Sequence, residues 1–196
     1  MATVNAGHCP SVVRHPITRV VVSGSESTGK TTLARDLAAH FGVGWVAEQA
    51  RSYAERVGRE LTAADVGPIA SAQIAAEDAA LAAAVGRNDR WLFLDTDLLS
   101  TVVYARHYYG ACPSWVEDEA RARRGDLYLL AALDIPWSPD SVRDRPRLRE
   151  QIHEEFRTTL AEFGANVCGV HGLDDARLGS ARACLESWVR DQGRSF

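Results

Sequence analysis

The stretch from Arg19 to Leu33 constrains this 196-residue chain more than any other. Its central part, Gly24 to Thr31, fits the pattern G-x-x-x-x-G-K-[ST] at every fixed position. Val20 to Val22 predict a buried strand before this loop, and apolar residues repeating from Leu33 to Phe41 predict one face of a helix after it. A loop in this setting is predicted to fold its backbone amides around an anion.

Each part of the loop has a predicted role in binding a nucleoside triphosphate. Gly24 and Gly29 would let backbone N–H groups turn inward, and the following helix adds its positive N-terminal end. Lys30 would reach the β and γ phosphates, and the Thr31 hydroxyl would bind Mg²⁺. The predicted ATP-binding residues of the loop are Gly24, Ser25, Glu26, Ser27, Thr28, Gly29, Lys30, Thr31 and Thr32.

Composition excludes several classes of protein. The net charge of -4 provides no basic surface of the kind that binds nucleic acid. No apolar run approaches the roughly 18 residues of a membrane-spanning helix, and the N-terminus lacks the apolar segment of a signal peptide. The four cysteines form no C-x-x-C pair, which predicts free thiols in a reducing compartment. We therefore expect a cytoplasmic protein whose partner is a small-molecule nucleoside, with neither nucleic acid nor membrane involved.

Strands and helices alternate along the chain, which predicts an α/β fold with a parallel sheet between two helical layers. Ligands would bind at the carboxyl ends of the strands. Residues 1–17 are interpreted as an N-terminal arm and 18–196 as one P-loop kinase domain with a lid around 138–150. The predicted strands after the first are Trp45–Glu48, Trp91–Asp97, Leu127–Leu133 and Val167–Val170; the long helix Ala63–Val85 follows a Thr62 cap, and Asp174 or Asp175 caps the last helix.

Carboxylates end two of the predicted strands. Asp95 follows an apolar run and is the candidate Mg²⁺ ligand. Asp97 shares its strand-face parity and would meet substrate hydroxyls, unless it caps the helix that follows. Glu48 would orient and deprotonate an attacking hydroxyl, with Arg51 holding that carboxylate or binding a phosphate. The sequence leaves open which of Glu48, Asp95 and Asp97 is the base.

Arginines are predicted to neutralise charge on the transferred phosphoryl group. Arg143 and Arg149 lie in the predicted lid, whereas Arg145 and Arg147 between them are interpreted as solvated. Closure of such a lid would exclude water from the reaction. Arg177 is a candidate contact to adenine, and Arg143 is assigned to ATP binding as well as to catalysis.

Gln73, Tyr109 and Trp137 are also predicted to face the acceptor. Gln73 and Glu77 lie one helical turn apart and can point together into a cleft. Tyr109 and Trp137 belong to a set of aromatic residues that would stack a flat ring, and a cationic ring would gain from their π-faces. The predicted substrate-binding residues are Glu48, Arg51, Gln73, Asp97, Tyr109 and Trp137.

Six segments together resemble, in order and spacing, the nicotinamide riboside kinase domain of bacterial NAD-biosynthesis regulators. They are Gly24–Leu33, Trp45–Arg51, Asp95–Leu99, Tyr109–Trp115, Asp126–Leu130 and Asp134–Trp137, and the resemblance runs from about Arg19 to Trp188. It implies ATP-dependent phosphorylation of the ribose 5′-hydroxyl of nicotinamide riboside to give nicotinamide mononucleotide. It also implies five parallel strands in the order 2-3-1-4-5, with Arg143 and Arg149 matching the lid arginines.

Two departures from that family matter. The regulators carry a nucleotidyltransferase domain ahead of the kinase, so adenylyl transfer and repression are not expected of this chain. Gln49 stands where the family commonly has an aromatic residue, which bears on nucleoside specificity. The alternatives are therefore a kinase for another nucleoside or nucleotide, and a nucleotide-sensing module that performs no small-molecule chemistry.

Overall fold

The computed structural model describes residues 17–135 and 148–193, and its five strands form one parallel sheet. The order across the sheet is β2-β3-β1-β4-β5, which confirms the prediction. Parallel pairing in register aligns Val22 of β1 with Asp95 of β3 and with Leu129 of β4. The strands are β1 (Thr18–Ser23), β2 (Trp45–Val46), β3 (Trp91–Asp95), β4 (Leu127–Ala131) and β5 (Val167–Val170).

Helices cover both faces of the sheet, because alternate residues of the buried strands point to opposite sides. Val21 and Leu94 pack with α3, α4, α5 and α6 on one face, whereas Val22 and Phe93 pack with α1 and α7 on the other. None of the helices in the described part of the chain is long and apolar enough to cross a membrane. The helices are α1 (Lys30–Phe41), α2 (Gln49–Val57), α3 (Val66–Arg87), α4 (Leu98–Tyr109), α5 (Ser114–Ala122), α6 (Leu148–Glu162) and α7 (Asp174–Asp191).

Three strands end earlier than predicted: β4 stops at Ala131 and not at Leu133, and the other two differences lie at the site. Strand β2 stops at Val46, so Glu48 occupies the position just before α2 and does not extend the strand. Strand β3 stops at Asp95 because Thr96 adopts a left-handed conformation with φ 67°. The predicted continuation to Asp97 is therefore wrong, and Asp97 caps α4 by accepting from the Leu99 amide.

Two helix starts also differ from prediction. The capping box of Thr62 and Asp65 is present, but it opens one 3₁₀ turn, Ala63–Asp65, before α3 begins. The residue before α7 is Leu173, so the prediction that an aspartate caps this helix is wrong.

Cys168 of β5 and Cys184 of α7 form a disulfide, with their Cα atoms 6.0 Å apart. The prediction of free thiols is wrong for this pair and correct for Cys112, whose pKa is raised to about 11 by burial. The two partners are separated by 16 positions, and only the packing of α7 against β5 brings them together. The disulfide removes the cysteine-based argument for a reducing compartment.

Candidate active site

The loop between β1 and α1 has the geometry of a phosphate-binding loop. Gly29 precedes α1 with φ 72° and ψ 20°, and no side chain caps the first turn of that helix. The amides of that turn are therefore available to an anion at the positive end of the helix. The Lys30 Nζ atom donates to the carbonyl oxygen of Ser25 at 2.7 Å, and the Thr28 hydroxyl donates to the same oxygen at 2.8 Å. These bonds hold the loop curled with Lys30 over it.

Close packing explains the two fixed glycines of the loop. Gly24 has φ 131°, and a Cβ atom there would lie 3.2 Å from the backbone oxygen of Ala131. A Cβ atom on Gly29 would lie 2.7 Å from the Cδ1 atom of Ile135. Both positions combine a left-handed backbone with a tight neighbour, so a larger residue would displace the loop from β4 or from Ile135.

Asp95 meets the phosphate-binding loop at Thr31. The Thr31 hydroxyl donates to Asp95 Oδ2 at 2.5 Å, while Asp95 Oδ1 is buried and has no hydrogen-bond partner among the described residues. Burial raises the pKa of Asp95, the Thr31 hydrogen bond opposes that effect, and the nearby charge of Glu48 adds to it. A hydroxyl and a carboxylate side by side are oxygen ligands suited to Mg²⁺.

Glu48 lies close enough to Asp95 for its charge to affect that residue, yet it belongs to a different loop. Its side chain is 15% exposed and makes no capping hydrogen bond to α2. Arg51, one turn into α2, approaches Glu48 Oε2 at 3.9 Å through its Nε atom. The Glu48 carboxylate is therefore near Asp95 and partly open to solvent.

Asp97, in contrast, is enclosed. Its Oδ1 atom accepts from the Leu99 amide at 3.0 Å, and its Oδ2 atom accepts from the Tyr128 hydroxyl at 2.5 Å. Burial raises the pKa of both Asp97 and Tyr128. Both carboxylate oxygens of Asp97 are thus engaged within the protein. Tyr128 was not predicted to contact Asp97, although a tyrosine in a buried strand needs a partner for its hydroxyl.

Gln73 is also buried, with an exposed fraction of 3%. Its Nε2 atom donates to Glu77 Oε1 at 2.9 Å, and Glu77 Oε2 pairs with an Arg19 guanidinium nitrogen at 2.7 Å. Burial and the charge of Asp97 raise the pKa of Glu77 to about 7, against the opposing effects of Gln73, Arg19 and Arg123. The predicted cleft pair therefore lies beneath the surface, in a polar network between α3 and the sheet.

The Glu77 carboxyl makes stability depend on pH. Its pKa is about 7 in the folded chain and 4.5 at its ordinary value. The folded state therefore holds this proton more tightly, and the stabilisation is present below pH 4.5 and lost as pH rises through 7. As pH rises from 4.5 to 7, the unfolding free energy of the wild type should fall by on the order of 2–3 kcal/mol relative to that of Glu77→Gln. Denaturant unfolding at a series of pH values measures this difference, and the exposed Glu55→Gln on α2 is the control. Parallel pH profiles for Glu77→Gln and the wild type would contradict the assignment.

Two arginines lie at the other side of the loop. Arg149 donates to the carbonyl oxygens of Ile135 at 2.9 Å and Ser27 at 3.2 Å. Its Nε atom is buried without a partner among the described residues, and burial, together with the charge of Arg177, lowers its pKa. Arg149 therefore joins α6 to the phosphate-binding loop.

Arg177 is 4% exposed and forms an ion pair with Asp134. Its Nε atom donates to the Gly172 carbonyl oxygen at 3.0 Å, and the Gly172 amide donates to Asp134 Oδ2 at 2.6 Å. Arg177 was predicted as a contact to adenine, and its pairing with Asp134 was not predicted. This pair fastens the loop after β5 to the end of β4.

The aromatic candidates occupy different environments. Tyr109 is half-buried and packs against the core, whereas the neighbouring Tyr108 is 44% exposed. The Tyr108 hydroxyl donates to Glu26 of the phosphate-binding loop at 3.4 Å, and its ring stacks on Tyr104. Tyr108 belongs to the aromatic set that was predicted to stack a flat ring, although it was not assigned to the acceptor site. Trp137, Arg143 and most of the predicted lid lie outside the described residues, as does the N-terminal arm through residue 16.

Comparison with known proteins agrees with this geometry. The model of the family described as an AAA domain matches residues 19–175. The trifunctional NAD biosynthesis/regulator protein NadR of Salmonella typhimurium is 28% identical over 154 residues, which cover 74% of this chain and 37% of NadR. NadR of Escherichia coli is 28% identical over 148 residues, covering 74% of this chain and 35% of that protein. The chain thus spans about a third of the length of these relatives.

Solved structures extend the likeness to three dimensions. A NadR structure in complex with NR is 29% identical with a TM-score of 0.68, covering 89% of this chain and 50% of that chain. A NadR structure with NAD and AMP-PNP gives 29% identity and the same TM-score of 0.68, covering 93% of this chain and 51% of that one. Thymidylate kinase from Ehrlichia chaffeensis shares the fold, with 12% identity, a TM-score of 0.61 and 87% of this chain covered, against 98% of its own. The fold is that of a P-loop kinase.

Proposed function

The chain belongs to the AAA domain family, and from that premise we propose that it is an ATP-dependent kinase acting on the ribose 5′-hydroxyl of nicotinamide riboside. The product would be nicotinamide mononucleotide. One observation carries the proposal: Glu48, partly exposed and not used as a helix cap, lies beside the Asp95–Thr31 pair at the phosphate-binding loop. A nucleotide-binding module that only senses its ligand has no need of a second carboxylate there.

In this proposal ATP binds along the loop, with Lys30 and the first amides of α1 on the β and γ phosphates. Thr31 and Asp95 would hold Mg²⁺, and the buried, unpartnered Oδ1 atom of Asp95 fits that role. When bound, the ion neutralises charge on the phosphate oxygens. Arg149, already against the loop, would contact the transferred group, and Arg143 is proposed to join it there.

Glu48 is the residue that we propose for the acceptor. Its carboxylate would accept a hydrogen bond from the 5′-hydroxyl, orient it in line with the γ phosphate and take its proton late in the transfer. Asp97 is less suited, since both of its oxygens are engaged by Leu99 and Tyr128. Asp95 is less suited because it is buried and its Oδ2 atom accepts from the Thr31 hydroxyl. The choice among three carboxylates thus favours Glu48.

Two observations support nicotinamide riboside as the acceptor. The NadR structure that is 29% identical to this chain in sequence is a complex with NR. Tyr108 presents an exposed ring next to Glu26 of the phosphate-binding loop, and an aromatic face attracts a cationic pyridinium ring. Gln49 favours the second candidate, a kinase of another nucleoside, because it stands where the family commonly has an aromatic residue. Its side-chain amide donates to the Ala47 carbonyl oxygen in the Glu48 loop.

A nucleoside panel at fixed ATP and Mg²⁺ tests the proposal. We expect ADP formation to rise at least tenfold on addition of nicotinamide riboside and to saturate with its concentration, because the acceptor supplies the attacking hydroxyl. Adenosine, uridine, cytidine and thymidine are the comparison acceptors, and 5′-deoxy-nicotinamide riboside is the matched control without the hydroxyl. A larger rise with another nucleoside would replace the proposed substrate. ADP formation at an equal rate without any nucleoside would reject the kinase.

A further inference from the structure

The first turn of α2 is capped from another helix. Glu48 occupies the residue before α2, where a side-chain oxygen commonly accepts from the first free amides, but its carboxylate makes no such bond. The Gln49 amide donates instead to Gln73 Oε1 of α3, at 3.4 Å. Gln73 thus accepts the first amide of α2, while the Glu48 carboxylate makes no capping bond to the helix and lies near Asp95.

The orientation of the Gln73 amide is fixed from its other end. Its Nε2 atom has two acceptors, Glu77 Oε1 at 2.9 Å and the Thr96 carbonyl oxygen at 3.4 Å. With both N–H groups directed at acceptors, Oε1 must point the other way, toward Gln49. Glu77 is itself held by Arg19 of β1 at 2.7 Å, so the network is anchored in the sheet.

Thr96 needs support at this point. It has φ 67°, a conformation that is strained for a β-branched residue. That turn separates Asp95, which bonds Thr31, from Asp97, which caps α4. The Thr96 amide donates to the Val22 carbonyl oxygen of β1, and Gln73 donates to the Thr96 carbonyl oxygen. Both backbone polar groups of Thr96 are therefore held.

Helix α2 depends on such polar contacts. It contains no buried residue, so little apolar packing fixes its position. From the middle of the helix the Tyr53 hydroxyl donates to Asp65 Oδ1 at 2.9 Å, and Arg59, just after the helix, pairs with the same carboxylate. Gln73 is the corresponding attachment at the end that carries Glu48.

We propose that Gln73 is a positioning residue that sets the Glu48 loop and the Asp95–Thr96–Asp97 turn at a fixed separation. One buried amide bonds the backbone of both segments, which follow different strands of the sheet, β2 and β3. The effect of Gln73 on catalysis rests on the proposed function, whereas its effect on the position of the Glu48 loop does not. Gln73 acts through Glu48 and Asp95 and does not itself touch the acceptor.

The test compares Gln73→Met with Ile69→Met, a buried substitution one turn earlier on the same helix. Methionine keeps the length of glutamine and removes both the donor and the acceptor. We expect Gln73→Met to lower kcat about 10- to 100-fold, because a displacement of about 1 Å at the reacting groups has effects of that size. The Kd of an ATP analogue should stay within twofold, and Ile69→Met should leave kcat within threefold. An equal loss of kcat in both variants, or a loss explained by ATP affinity, would overturn the proposal.

Amide hydrogen exchange tests the link without any acceptor. We expect the Gln49 amide to exchange at least tenfold faster in Gln73→Met than in the wild type, and to be unchanged in Ile69→Met. If the wild type phosphorylates no nucleoside, the proposed function fails while this measurement still decides the role of Gln73. Gln73→Asn, which keeps the amide but is too short to reach both segments, serves if the methionine variant does not fold. Unaltered exchange at Gln49 in the folded variant would contradict the proposal.

Discussion

Lys30→Ala is expected to lower kcat/KM for phosphoryl transfer by about 10³-fold, one of the two largest effects expected of a single substitution in this chain. The Lys30 ammonium is held over the loop by the Ser25 carbonyl oxygen, where β and γ phosphates would lie. In the proposed reaction this fixed positive charge would lie where negative charge develops during transfer, so its loss would remove transition-state stabilisation as well as ground-state binding. Steady-state rates at saturating acceptor and varied ATP measure this effect.

The control for Lys30→Ala is Arg35→Ala, which removes an exposed positive charge farther along α1. We expect that variant to stay within twofold of the wild type. Lys30 is also the only lysine in the sequence, so reductive methylation of side-chain amines reports on this residue alone. ATP should protect it from methylation. A Lys30→Ala variant with kcat/KM within tenfold of the wild type would contradict the assigned role of the loop.

Glu48→Gln is expected to lower kcat by about 10² to 10⁴, the range for loss of a general base. The substitution keeps the size of the side chain and removes the charge that would orient and deprotonate the 5′-hydroxyl. ATP affinity should change little, because Glu48 belongs to the loop before α2 and not to the phosphate-binding loop. Rapid-mix measurements of product formation, together with equilibrium binding of an ATP analogue, separate the two effects.

Glu55→Gln, an exposed change on the same helix, is the matched control and should leave kcat unchanged. A protein that binds ATP tightly, binds no nucleoside and is insensitive to Glu48→Gln would be a nucleotide-sensing module. If Glu48→Gln retained full activity while Asp95→Asn lost it together with acceptor binding, the acceptor role would pass to Asp95.

The phosphate-binding loop could be predicted because local signals determine it, and the sheet order could be predicted because the family resemblance implies it. Gly24 and Gly29 are required by backbone conformation and close packing, and the strand-loop-helix order around them is visible in the apolar pattern. The alternation of strands and helices, with the family resemblance, indicated the arrangement β2-β3-β1-β4-β5. These features depend on neighbours in sequence or on a well-populated fold.

The remaining features depend on long-range contacts that a single sequence does not display. The left-handed Thr96 ends β3 two residues early, and no local pattern marks a threonine for that conformation. Gln73 caps α2 from a different helix, 24 positions away. The Cys168–Cys184 bond likewise appears only when α7 packs on β5. In each case the partner is chosen by tertiary packing.

The most direct test of the proposed kinase follows the γ phosphate of ATP by ³¹P NMR in the presence of nicotinamide riboside and Mg²⁺. The account predicts that a phosphomonoester resonance coupled to the C5′ protons grows at the rate at which ATP is consumed, with the mass of nicotinamide mononucleotide in the product. Inorganic phosphate as the sole new resonance, with ATP consumed equally fast in the absence of the nucleoside, would contradict it.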